Sequence, residues 1–273
     1  KELDGVAICT ESGYHAAIAL NCLNTGLHVL VEKPMALSLQ DADQMIDLAK
    51  EKNLKLGVCH QNRFNPPIQK LRRALDEGRF GKLINGTARI LWTRDMNYYK
   101  QAPWRGTWAL DGGTLMNQCI HNIDLLQWMM GGEVQSIYGQ TGTFLRNIEA
   151  EDFGAVMIRF KNGSIGIVEG SACVHPKNLE ETLSIFGETG TAVIGGLAVN
   201  KIQTWQFEDQ RDYDLTDECT EISNVYGSGH TPLYADFIEA INADRKPYIS
   251  GEDGRIALNI ILKVYEQEGH RCV

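Results

Sequence analysis

The chain has 273 residues, 43% hydrophobic and 22% charged, a balance that excludes a disordered, collagen-like or coiled-coil protein. Thirty-five acidic against 26 basic residues give a formal net charge of −9, which argues against general binding to nucleic acid or an anionic membrane and leaves room for a local basic pocket. No apolar run reaches the ~18–20 residues that span a bilayer, and Lys1-Glu2-Leu3-Asp4 does not open a secretory signal.

The first sixty residues predict strand, helix, strand, helix, strand. Val6-Ala7-Ile8-Cys9 is a short apolar run; Tyr14 to Asn24 follows with helical spacing and a stop at Thr25-Gly26. His28-Val29-Leu30-Val31 is the next strand. Ser38 starts a helix in which Leu39, Ala42, Met45, Ile46 and Ala49 recur at helical spacing, before a strand over 54–58. Such alternation implies parallel strands with right-handed crossovers. Three parallel strands are half of a doubly wound dinucleotide fold, and no G-x-G-x-x-G phosphate loop is present. Residues 1–62 are therefore expected to be the C-terminal half of a Rossmann domain, with the phosphate-binding half upstream of Lys1.

Beyond residue 63 the pattern changes. Pro66 to Glu77 predicts a helix, Leu83 to Trp92 a strand, and Thr114 to Met130 a helix closed by Gly131-Gly132. Strands follow over 134–143, 152–160, 164–173, 183–186, 192–194 and 201–207, with Lys161-Asn162-Gly163 as a hairpin turn. Short turns between strands imply an antiparallel sheet. Helices over 232–242 and 254–268 close the chain. The fold class is α/β: a truncated Rossmann domain, then an α+β domain over 63–273 with a large, open-faced, mainly antiparallel sheet. The seven cysteines (Cys9, Cys22, Cys59, Cys119, Cys173, Cys219, Cys272) form no C-x-x-C pair. Neither a disulfide framework nor a metal site is expected, and the compartment is expected to be reducing cytoplasm.

Two clusters carry chemistry. In Glu32-Lys33-Pro34 a lysine stands at the C-terminal end of a parallel strand, where open α/β sheets place ligands, and Pro34 can fix a bend, cis or trans. The second runs from Asp111-Gly112-Gly113 to His121 and Asp124. On a regular helix Asn117, His121 and Asp124 are spaced i, i+4, i+7 and share one face.

With these motifs the chain resembles the Gfo/Idh/MocA family of oxidoreductases. Glu32-Lys33-Pro34 matches its E-K-P tripeptide, and Gly112-Gly113 through His121 to Asp124 its second motif. One departure is Asn117, where the family has Asp. Segments such as 61–66, 102–108, 177–182 and 229–234 resemble a subgroup, the UDP-N-acetylglucosaminuronate 3-dehydrogenases of surface-polysaccharide biosynthesis. The resemblance implies a dehydrogenase with bound NAD or NADP, NAD favoured, that moves a hydride from a secondary alcohol of a sugar. It implies Lys33 and His121 as the catalytic pair, in either assignment of base and alkoxide stabiliser. Thr10, Ser12, His15, Glu32, Lys33, Asn62, Trp104 and Arg105 are expected to hold the cofactor. Asn117, Arg94, Tyr98, Lys177 and Asn178 are expected to bind an anionic nucleotide sugar. A dehydrogenase of free sugars or inositol, and a lyase using Lys33 as a Schiff base, are the alternatives. The open sheet is expected to make a homodimer or homotetramer; neither nucleic acid nor membrane is an expected partner.

Overall fold

A computed structural model describes residues 3–131, 133–216 and 227–270; Cys219, Cys272 and Gly132 lie outside them. The opening alternation folds as its spacing predicts. Strands β1 (Gly5–Ile8), β2 (His28–Val31) and β3 (Leu56–Val58) pair in parallel in that order, with crossovers through α1 (His15–Asn24) and α2 (Leu39–Glu51). The Ser38 hydroxyl caps α2 by accepting from Asp41 N at 3.1 Å. Ala42, Met45, Ile46 and Ala49 form its buried face.

The second sheet has seven strands in the order β10-β9-β8-β4-β7-β6-β5. They are β4 (Leu83–Leu91), β5 (Val134–Gly142), β6 (Phe153–Phe160), β7 (Ile165–Ser171), β8 (Glu180–Gly187), β9 (Gly190–Gly195) and β10 (Lys201–Phe207). Every pairing is antiparallel except β4 with β7. Short hairpins can make only antiparallel pairs. β4 instead connects onward through α4 (Met96–Lys100) and α5 (Ile120–Met130), a path long enough to bring it alongside β7 in parallel. α5 lies on one face of this sheet, close enough that a Cβ at Gly86 would sit 2.8 Å from the side chains of Leu126 and Met130. On β6, Gly154, Val156, Ile158 and Phe160 point into that packed face, while Ala155, Met157 and Arg159 are exposed. The other face is open, as expected.

Two segments differ from the sequence pattern. Residues 114–130 are not one regular helix: Leu115–Cys119 is a π turn that leads into α5. β8 starts three residues earlier than its apolar run, at Glu180, because ladder pairing with β4 continues past the point where apolar residues end. α3 (Pro66–Asp76) opens on proline, which suits the first turn of a helix.

The last two helices, α6 (His230–Asn242) and α7 (Gly251–Gln267), return to the first sheet. Phe237 packs over Gly57 and Gly254 over Val58. We propose that the domain division at residue 62 separates the two sheets, with α6 and α7 crossing back over it. No described helix is long and apolar enough to cross a membrane.

Candidate active site

A cavity of about 520 Å³ opens at the C-terminal ends of the parallel strands, between the two sheets. Thr10, Ser12 and His15 of the β1–α1 segment, Glu32 and Lys33 after β2, and Asn62 after β3 line one side. Arg94, Tyr98, Trp104, Arg105, Asn117 and His121 line the other.

The Lys33–Pro34 bond is cis. The His15 ring nitrogens lie 2.7 Å from the Pro34 carbonyl and 3.1 Å from that of Thr10. His15 therefore ties the β1–α1 loop to the lysine's bend while it lines the cavity. Burial lowers the His15 pKa, against those carbonyls. Glu32 accepts from the Lys33 backbone N–H at 3.1 Å and lies 3.6 Å from His230 Nε2. Burial pushes its carboxyl up, but His230 and Lys33 outweigh it and hold it below the ordinary range.

Lys33 Nζ donates to the Asn117 carbonyl at 2.7 Å. The partner belongs to the π turn, where the backbone departs from regular helical spacing. The same turn carries the site's hydrogen-bond network. The Asn117 amide donates to Asp111, and Gln118 Nε2 donates to Asn117 Oδ1 at 2.6 Å and to the Tyr98 hydroxyl at 3.0 Å. Asp111 is buried and also accepts from Gly106 N at 2.7 Å. Burial raises its carboxyl to about 6, against these donors and the charges of Lys33 and Arg105. Burial lowers the Lys33 pKa in turn, while Glu32 and Asp111 oppose the shift.

His121 stands in α5 with a buried Nδ1 that has no hydrogen-bond partner. Burial drives its pKa well down, and Lys33, His60 and His230 act in the same direction. The imidazole is thus neutral at physiological pH and free to accept a proton. His60 packs edge-on behind it, with ring centroids 5.7 Å apart.

Arg94 and Arg105 alternate with aromatic rings. The Arg94 guanidinium sits 4.7 Å from the Trp92 ring and 5.1 Å from Tyr98; that of Arg105 sits 4.3 Å from Tyr98 and 4.8 Å from Trp104. The Nε of each arginine is buried without a hydrogen-bond partner. Two fixed guanidinium groups with donors to spare suit an anion.

Three sequence expectations are corrected here. Lys177 is exposed and does not line the cavity. Asn178 does not line it either: its Oδ1 accepts from Thr93 N at 2.9 Å and from Arg94 Nη1 at 3.4 Å, so it holds the arginine in place. Asp124 does not line the cavity with Asn117 and His121: the π turn offsets Asn117 from α5, and Asp124, three residues beyond His121 in the regular part of α5, is buried. It turns to Arg63, with contacts of 2.7 and 2.6 Å between side chains that are each 1% exposed. Residues the sequence reading left without a role also line the cavity: Cys9, Gln61, Trp92, Gln118, Glu181 and His230.

Fold and cavity are those of an oxidoreductase with an NAD-binding Rossmann domain. Residues 1–60 match the model of the oxidoreductase family with the NAD-binding Rossmann fold, and residues 68–193 that of the Gfo/Idh/MocA C-terminal domain. The chain belongs to the Gfo/Idh/MocA family. It is 33% identical to the UDP-N-acetylglucosamine 3-dehydrogenase of Acidithiobacillus ferrooxidans, over 96% of this chain and 78% of that protein. It is 26% identical to the myo-inositol 2-dehydrogenase of Thermotoga maritima, over 94% and 75% respectively. The crystal structure of the WlbA dehydrogenase from Bordetella pertussis in complex with NADH and UDP-GlcNAcA superimposes with a TM-score of 0.93 at 37% identity. That match covers 99% of this chain and 79% of WlbA.

Proposed function

We propose that this protein is an NAD-dependent dehydrogenase that oxidises a secondary alcohol of a nucleotide sugar, namely C3 of UDP-N-acetylglucosaminuronate. The observation that carries the substrate class is the Trp92–Arg94–Tyr98–Arg105–Trp104 stack, which sets two guanidinium groups on the cavity wall. A neutral polyol has no use for two such cations. The likeness to WlbA, solved with UDP-GlcNAcA, supports the particular sugar.

The residues present fit the nicotinamide end of the cofactor. Asn62 Oδ1 and Gln61 Oε1 are buried acceptors without partners, suited to a carboxamide NH₂, and Thr10, Ser12 and Glu32 complete the same wall. Bound NAD supplies the hydride acceptor. The His121 imidazole takes the hydroxyl proton, for which its neutral state equips it. Lys33 Nζ, anchored on the Asn117 carbonyl, donates to the same oxygen and stabilises its alkoxide character. Asn117 orients Lys33 and carries no proton. Arg94 and Tyr98 bind the sugar's anionic part, and Arg105 beside Trp104 binds phosphate.

The assay follows NADH formation on UDP-N-acetylglucosaminuronate, UDP-N-acetylglucosamine, and free glucose and inositol. The expected order of kcat/KM is the order given. Turnover of the free neutral compounds ahead of both nucleotide sugars would overturn the substrate assignment.

We propose cytoplasmic location for such an enzyme, and a homodimer or homotetramer through the open sheet face. There Tyr138, Met157 and Ile167 stand in one cross-strand row, 66%, 53% and 41% exposed, an apolar stripe of the kind that marks an interface. Met157→Glu with Ile167→Glu is expected to reduce the mass measured by light scattering to that of the monomer. An unchanged mass would send the interface elsewhere.

A further inference from the structure

Glu181 is a buried carboxyl on the cavity wall that the mechanism above does not use. It extends from β8 and is 3% exposed. Its Oε2 has no hydrogen-bond partner, and among the described residues no cation stands within ion-pair distance of it. The groups around it are few. α5 contributes Asn122, which lies alongside without a well-formed hydrogen bond, since its own Nδ2 also lacks a partner. The π turn contributes Cys119, a thiol that burial keeps neutral. β4 contributes Ile90, its partner in register. Among the described residues, Arg94, just beyond β4, is the charge acting on it.

We propose that Glu181 is a specificity-determining residue: held as a neutral carboxylic acid, it donates a hydrogen bond to the substrate's sugar carboxylate, which Arg94 pairs with from the other side. The proposal rests on the nucleotide-sugar reading above.

An isolated buried carboxylate is costly, so the group keeps its proton; burial raises it to about 8, against the Asn122 amide and the Arg94 charge. A protonated carboxyl has one O–H to donate, and a carboxylate is the acceptor that makes such a bond strong. The same substrate carboxylate would be repelled by an ionised Glu181, so the anion binds the protonated form selectively. Its affinity must then fall as pH rises through the Glu181 pKa. A sugar with a hydroxymethyl in place of the carboxylate lacks that dependence.

The test is calorimetric binding of UDP-N-acetylglucosaminuronate and of UDP-N-acetylglucosamine to the NADH-bound enzyme at pH 7 and pH 9, for wild type and Glu181→Gln. With the group titrating at about 8, the wild-type Kd for the uronate is expected to rise roughly tenfold between the two pH values. The Kd for the uncharged sugar is expected to change less than about twofold. Glu181→Gln, which keeps a neutral donor, is expected to bind the uronate within a few-fold of wild type at pH 7 and to lose the pH dependence. The wild-type contrast between the two sugars needs no variant. An equal pH effect on both sugars, or the same uronate dependence in the Gln variant, would overturn the role of Glu181 and leave the substrate reading intact. Failure of both nucleotide sugars to bind would overturn the substrate reading and the role together.

Discussion

Replacing Asp124 by Asn separates a structural group from the catalytic one beside it. Arg63 Nε and Nη2 donate to the two Asp124 oxygens at 2.7 and 2.6 Å, and Nη1 donates to Asp253 Oδ1 at 3.1 Å. Arg63 also stacks 4.8 Å from the Trp128 ring. The pair joins the segment after β3 to α5, and Asp253 adds α7, so it locks the two sheets at the cavity's base. Breaking a fully buried pair costs about 3–5 kcal/mol, because one charge is left without its partner. Asp253 stays in place but is 26% exposed, which puts the expected loss near the lower end, about 3 kcal/mol. For a chain of this size each kcal/mol moves the melting temperature by roughly 2–4 °C, so a fall of roughly 6–12 °C is expected. Circular dichroism during a thermal ramp measures it. Arg63→Met with Asp124→Leu is expected to recover most of the loss, since an apolar pair avoids burying charge. Well below the transition, kcat of Asp124→Asn should stay within about threefold of wild type, because Asp124 touches no group that moves a proton. A melting temperature lowered by less than about 2 °C would refute the argument about the pair. A hundredfold loss of kcat in a folded protein would return Asp124 to the catalytic group.

Lys33→Ala is expected to lower kcat by at least ~10²-fold while the Kd for NAD, followed by NADH fluorescence, changes only a few-fold; wild-type turnover would remove Lys33 from the mechanism. His121→Asn is expected to cost ~10²–10⁴-fold in kcat. In wild type, the acid limb of the pH–rate profile should lie below the ordinary histidine value of 6.5, since burial favours the neutral imidazole, and it should vanish in the variant. Asp111→Asn removes a negative charge that favours the Lys33 ammonium. The alkaline limb of kcat/KM is therefore expected to move to lower pH; an unmoved limb would mean that Asp111 does not reach Lys33 electrostatically.

The strand–helix alternation of residues 5–58 was legible because each apolar run is short and each helix carries a single apolar face. The hairpin at 161–163 was legible for a similar reason: Gly163 takes φ +89°, where glycine is favoured. Lys33 and His121 could be found from their motifs, and the cavity does bring them to one place. The π turn was not legible, since nothing in Leu115–Cys119 distinguishes five residues of wider helix from five of regular helix. Placing Asn117 in register with His121 and Asp124 assumes one pitch throughout, and the pitch changes between them. Lys177 and Asn178 failed for another reason: they lie in a loop, where no periodicity tells which way a side chain points. Glu181 had a signal that went unread. It alternates with Leu183 and Ile185 on the inward face of β8, and all three are buried. A lone carboxylate on an apolar strand face calls for a partner or a proton.

Position 117 shows how a site can keep its electrostatics while changing the residue that supplies them. The resemblance expects an Asp four residues before the histidine, and Asn117 carries no charge there. The carboxylate enters from Asp111, at the end of the preceding loop, and reaches the same point through the Asn117 amide. That placement needs a chain that closes tightly: Gly112 adopts φ +76°, and a Cβ at Gly113 would fall 1.4 Å from Glu151 Oε2. Glu151 is itself buried and raised to about 8, chiefly by that burial. Its Oε1 accepts from Leu115 N and from the Tyr265 hydroxyl, each at 2.8 Å, so it holds the start of the π turn from beneath. The turn then offers the Asn117 carbonyl to Lys33 and the Asn117 amide to Asp111. One residue thus couples the lysine's position, through its backbone, to the carboxylate's charge, through its side chain. An Asp at 117 could keep the first link, but it would set a second carboxylate against Asp111 in a buried site, where two like charges cannot both ionise cheaply. The Asn at 117 and the Asp at 111 therefore form a matched pair, and either one makes physical sense only beside the other.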